Sequence, residues 1–62
     1  MAFQFEGRIE PYASGVTNLY RIVTNERRSI PGWPDEDGYD DRQAADRALE
    51  RCKELSNAAD PA

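Results

Sequence analysis

The sequence predicts an α+β fold: a small antiparallel sheet of two to three strands, in ββ(β)α order, with one C-terminal amphipathic helix packed on one face. Three observations carry this. Within the stretch 39–55 apolar residues recur every three or four positions from Ala45 to Leu55, apolar and polar residues alternate over 3–10, and β-branched and aromatic residues crowd 16–24.

The first strand is read over 3–10, where Phe3, Phe5, Gly7 and Ile9 alternate with Gln4, Glu6, Arg8 and Glu10. Gly7 on the apolar side points to a bulge or to a large group approaching from the facing layer. Pro11 is expected to stop this strand, and Ala13, Ser14 and Gly15 to form a turn.

The second strand, over 16–24, has Tyr20, Ile22 and Thr24 on one face and Leu19, Arg21 and Val23 on the other. Both faces are partly apolar, which suits a central strand. Asn25 and Glu26 read as a tight turn into a short third strand over 27–30 that Pro31 ends. Residues 31–38 are irregular: Pro31, Gly32, Trp33 and Pro34 form a rigid turn, followed by an acidic loop.

The helix is the firmest element. Ala45, Ala48, Leu49, Cys52 and Leu55 form its apolar stripe, while Arg42, Asp46, Arg47, Glu50, Arg51, Lys53 and Glu54 lie opposite. Asp40 is the expected N-cap, with Gln43 reaching back as in a capping box and Tyr39 and Ala44 as a hydrophobic staple. Asp41 in the first turn and Lys53 in the last suit the helix dipole. Asn57, with Pro61 beyond, marks the exit, so residues 1–56 read as a single small domain and 57–62 as a disordered tail.

A chain of 62 residues buries only about 60% of its unfolded surface. Reinforcement by an internal disulfide is excluded by the single Cys52, and the absence of His removes the commonest zinc ligand. Association, with a second copy or another protein, is the remaining route. The net charge of −4 argues against general affinity for a nucleic-acid backbone. There is no long apolar run and no basic-then-apolar N-terminus, so the expectation is a cytoplasmic protein, bacterial or phage in style, with no membrane partner.

Chemistry is scarce. With no His, one Lys and serines confined to turns and helix ends, no nucleophile–base pair forms, so no catalytic residue, metal ligand or cofactor is expected. Asp35, Glu36, Asp37, Asp40 and Asp41 crowd the helix approach. Read as a calcium loop from Asp35, they put Tyr39, Asp40 and Asp46 where an oxygen ligand, Gly and Glu are required. The plainer reading is that they solvate a loop and favour a helix N-terminus; the sharper one is a cluster that mimics a phosphate line and enters a basic cleft on a partner.

Trp33, between two prolines, is either an interface anchor or a core residue, the core reading being favoured. Arg8, Arg21, Arg27 and Arg28 offer a basic strip for nucleic acid, opposed by Glu6, Glu10 and Glu26 in the same strands. Cys52, on the apolar stripe, reads as a small core residue.

The strands followed by a helix opening Tyr39-Asp40-Asp41-Arg42-Gln43-Ala44-Ala45 resemble very small bacterial and phage domains, among them the arm-site-binding domains of tyrosine integrases. Those are typically basic, so their DNA-binding role carries over to no residue of this acidic chain. In size and charge alone the chain is similar to compact acidic phage proteins that inhibit host defences, including anti-CRISPR proteins.

The leading expectation is a small acidic, non-enzymatic module that binds another protein through Trp33, Asp35, Glu36, Asp37 and Tyr39, its most concrete form an inhibitor occupying a basic nucleic-acid-binding site. The alternatives are a nucleic-acid-binding domain using Arg8, Arg21, Arg27 and Arg28, or a structural homodimer.

Overall fold

The computed structural model describes residues 3–59. Its regular elements are strand β1 (Gly7–Ser14), strand β2 (Thr17–Thr24) and helix α1 (Arg42–Ala59), so the chain is α+β. The strands form one antiparallel hairpin, with Ile9 opposite Ile22, Pro11 opposite Tyr20 and Ser14 opposite Thr17. Gly15, at φ 64°, and Val16 make the two-residue loop. A glycine with positive φ at the first loop position, followed by a residue with negative φ, fits a type II′ turn, whose twist matches that of the strands.

Pro11 does not end β1, which instead starts at Gly7 and runs three residues past the proline. The reason lies in the ladder. Tyr20 and Ile22 of β2 send their backbone N–H groups away from β1, to Tyr39 O at 2.7 Å and Glu36 O at 2.6 Å. Their partners Pro11 and Ile9 therefore occupy the non-hydrogen-bonded positions of the antiparallel pair. A proline there surrenders no ladder bond, since its nitrogen faces the outer edge of an edge strand.

The expected third strand over 27–30 is absent; those residues are irregular. The place beside β2 belongs to the acidic segment, which makes an isolated antiparallel bridge, Tyr20 with Tyr39, and the bond to Glu36. Asn25, expected to turn the chain into that strand, is spent elsewhere. Its amide group donates to Gln4 O at 2.9 Å and accepts from Glu6 N at 2.8 Å, fastening the lead-in of β1 to the end of β2.

The core forms where Ile22 of β2 meets Ala48 and Cys52 of α1, with Phe5, Trp33, Tyr39 and Leu49 packed around them. Ala45, Cys52 and Ser56 are fully buried, continuing one helical stripe. Gly7 lies under that helix: a Cβ built on it would come within 2.6 Å of Leu49 Cδ1 and 3.1 Å of the Phe5 ring. Close approach, not a bulge, explains this glycine.

The helix start is corrected by one residue. Asp41, not Asp40, is the N-cap: its Oδ1 accepts from Gln43 N at 3.0 Å and its carbonyl from Ala45 N at 3.1 Å. Gln43 then stands at N2, and neither the capping box nor the Tyr39–Ala44 staple has its expected spacing. Asp41 consequently lies outside the first turn, and Lys53 is too far from the end to serve the last. The helix also runs through Asn57 to Ala59, so 57–59 are not a tail; Asp60, Pro61 and Ala62 lie outside the described residues.

Candidate functional site

The acidic segment owes its position to backbone bonds. Besides the two bonds that Tyr39 exchanges with Tyr20 and the Ile22–Glu36 bond, Gly38 N donates to Tyr12 Oη at 3.0 Å. Tyr12 thus reaches across β2 from β1 and holds the loop from the far side. Just upstream, Ile30 O accepts from Trp33 N at 3.3 Å across Pro31 and Gly32. Gly32 has φ 82°, so Pro–Gly at the centre of this turn fits type II geometry.

Trp33 is half-buried against the core and its Nε1 donates to Glu36 Oε2 at 3.3 Å. Tyr39 is likewise half-buried, and its hydroxyl donates to Asp35 O at 2.6 Å. Burial pushes the Tyr39 hydroxyl pKa upward, helped by the negative charge of Asp35. The two aromatics expected to anchor a partner are therefore engaged in holding the segment on the domain. Asp35, Glu36, Asp37, Asp40 and Asp41 are all exposed. Among the described residues no group of carboxylates and Cys converges as a metal site.

The arginines do not form one strip. Arg8 and Arg21 share the sheet face opposite the Gly7–Ile9 side, where Arg8 pairs with Glu10 at 2.8 Å and Arg21 stacks over the Tyr12 ring at 4.1 Å. Arg27 is exposed in the irregular stretch after β2. Arg28 turns toward the far end of α1, with its guanidinium 5.0 Å from the Phe3 ring centre.

Arg28 and Glu26 make a junction that sequence reasoning missed. Glu26 Oε1 accepts from Arg28 N and Nε at 2.9 and 2.8 Å, and Oε2 accepts from Arg28 Nη2 and Ser56 Oγ, each at 2.7 Å. The Glu26 side chain is only 2% exposed. The Arg28 hydrogen bonds and the Ser56 hydroxyl outweigh desolvation and hold its pKa at about 2. The same guanidinium donates to Ser56 O at 3.4 Å and Ala59 O at 3.2 Å, supplying from outside the cation that the helix's own last turn lacks. The signal available in the sequence was Ser56, a polar residue continuing the apolar stripe and therefore needing a buried partner.

Cys52 is fully buried, and burial, then the charge of Glu36, raises its thiol pKa. No helix among the described residues is long and apolar enough to cross a membrane. The chain matches no protein-family model, no curated protein and no solved structure.

Proposed function

We propose that this chain is a small acidic, non-enzymatic protein-binding module of the cytoplasm whose contact surface is the segment 35–41. The observation that supports the reading is a contrast within that segment. Its backbone is fixed by Tyr12, Tyr20 and Ile22, while its five acidic residues are all exposed, Glu36 and Asp41 also accepting one local hydrogen bond each. A fixed ridge of negative charge loses little ordering entropy on binding and attracts a basic surface from a distance. The partner is accordingly a protein with a basic face, in the most concrete form one whose nucleic-acid-binding site the ridge occupies. The nucleic-acid reading through Arg8, Arg21, Arg27 and Arg28 is the alternative; Arg8, Arg21 and Arg28 each already hold a local partner, Glu10, the Tyr12 ring and Glu26.

The test is a pull-down from the native host with wild-type and D35N/E36Q/D37N baits, followed by association kinetics with whatever the wild type retains. Rim charges steer encounter, so the neutralised variant should associate at least about tenfold more slowly at low salt with little change in dissociation. The defect should shrink as ionic strength rises. A neutralised variant that binds the same partner at the wild-type rate overturns the proposal.

A further inference from the structure

The outer edge of β1 is the sheet's open edge. Gly7, Ile9 and Ala13 occupy the same non-hydrogen-bonded positions as Pro11, so their backbone groups point away from β2. Among the described residues, no backbone hydrogen bond reaches them. The opposite edge, along β2, is taken by Glu36 and Tyr39. A sheet with one open edge can pair once and then closes.

We propose that two copies of the chain join through this edge, β1 antiparallel to β1 about a two-fold axis at Ile9, to give a continuous sheet in the order β2-β1-β1-β2. Charge complementarity selects the occupant and, together with the overlap of the strands, the register. With the axis on Ile9, Arg8 of each copy stands directly opposite Glu10 of the other, on the face that carries the existing Arg8–Glu10 pair. Moving the axis to Arg8 sets cation on cation, and moving it to Glu10 sets anion on anion. An axis on Pro11 lacks both central donors, and one on Tyr12 or Ala13 brings no opposite charges together. An axis on Gly7 also sets opposite charges together, Arg8 on Glu6, but it overlaps the two β1 strands at Gly7 alone.

In the chosen register each Ile9 N–H meets the other Ile9 carbonyl, and each Gly7 N–H meets the carbonyl of the opposite Pro11. The proline's missing donor costs only the return bond.

The helices fit this arrangement. α1 packs on both strands, with Leu49 over Gly7 of β1 and Ala48 and Cys52 on Ile22 of β2, so it lies over the hairpin. Strands about 4.8 Å apart then place the two helix axes roughly 10 Å from one another, the ordinary distance of packed helices. Between them falls the cleft bounded by Phe5, Gly7, Leu49, Glu50 and Lys53 on the β1 side of α1. Pairing here fills that cleft and leaves the acidic segment exposed at both outer edges, so the inference stands independently of the function proposed above.

Sedimentation equilibrium over a wide concentration range tests it, using wild type, R8E, E10R, the R8E/E10R double variant and an equimolar mixture of the single variants. The side chains of Arg8 and Glu10 are 67% and 42% exposed, so all variants should keep the wild-type circular dichroism. Each single variant sets like charges opposite one another twice and should dimerise about tenfold more weakly than wild type. The mixture and the double variant each restore opposite pairs and should return to wild-type affinity. Amide exchange on the wild type gives a second readout: Gly7 and Ile9, which face away from β2, should be protected at high concentration and exchange freely on dilution. A wild type that stays monomeric throughout, or single variants as tight as wild type, overturns the proposal. So does a double variant as weak as the singles, or Ile9 exchange independent of concentration.

Discussion

At the scale of single residues, Glu26 governs how the end of α1 is held. Its carboxyl is held at about 2, from an ordinary 4.5, by Arg28 and Ser56. A carboxyl whose pKa is lower folded than unfolded stabilises the fold above its unfolded value. That contribution declines as pH falls from about 4.5 and is gone once pH passes below about 2. Thermal melts should show a fall in melting temperature across this window that E26Q lacks, with E26Q less stable than wild type at neutral pH; parallel acid limbs would remove Glu26 from this role. Cys52 gives a second residue-scale expectation. With the thiol buried and its pKa raised, a thiol-alkylating reagent should label it far more slowly in native protein than in denaturant. The sequence stripe identified Cys52 as buried, because a cysteine in step with Ala45 and Ala48 has only the core to face. The engagement of Glu26 was not legible, since nothing local says that a carboxylate after a strand will meet Ser56 thirty residues later.

Among the elements, α1 and β2 were legible because several independent signals agreed on each, whereas their boundaries and companions were set by tertiary contacts. Asp40 and Asp41 are equally good caps by type, and Tyr39 decides between them by exchanging its backbone bonds with Tyr20, which delays the helix by one residue. Asp41→Ala should therefore cost about 1 kcal/mol in urea melts and Asp40→Ala much less; the reverse order would restore the earlier start. The missing third strand has a similar cause. Residues 27–30 had strand-like composition, but Glu26 and Arg28 close a local hydrogen-bonded loop on α1. The edge of β2 went instead to Glu36 and Tyr39, which no periodicity marks. Gly7 was legible as a site of close approach, and the geometry makes that quantitative. Gly7→Val should cost less than about 1 kcal/mol, because the groups it meets, Leu49 Cδ1 and the edge of the Phe5 ring, are side-chain ends that can move aside. Trimming Leu49 to Ala in the same chain should make the two costs sub-additive in equilibrium unfolding.

For the whole molecule, measuring 43 × 18 × 18 Å, the decisive fact is how little joins its parts. A hairpin and one helix share a core of Ile22, Ala48 and Cys52, and the irregular segment between them contributes Trp33 and Tyr39 to it. The candidate acidic surface was legible as a cluster of like charges. The sequence favours inward packing of Trp33; what it did not disclose is that Tyr39 also packs inward and that both aromatics hold the segment, a matter of where the Pro31–Gly32 turn delivers Trp33. Trp33 therefore couples stability to the presentation of the acidic ridge. Trp33→Ala removes a half-buried indole and should destabilise by about 3 kcal/mol, the lower end for truncating an aromatic, because part of the ring already sees solvent. It also removes the donor to Glu36, whose carbonyl accepts from Ile22. Amide exchange at Ile22 and Tyr20 should then accelerate at temperatures where the hairpin and α1 remain folded, because those two amides are protected by the segment and not by β1. If Trp33 instead acted only as an exposed anchor, the variant would melt like wild type and leave those amides unchanged. Faster exchange confined to Tyr20 and Ile22 would show that the indole fastens the acidic segment to the sheet.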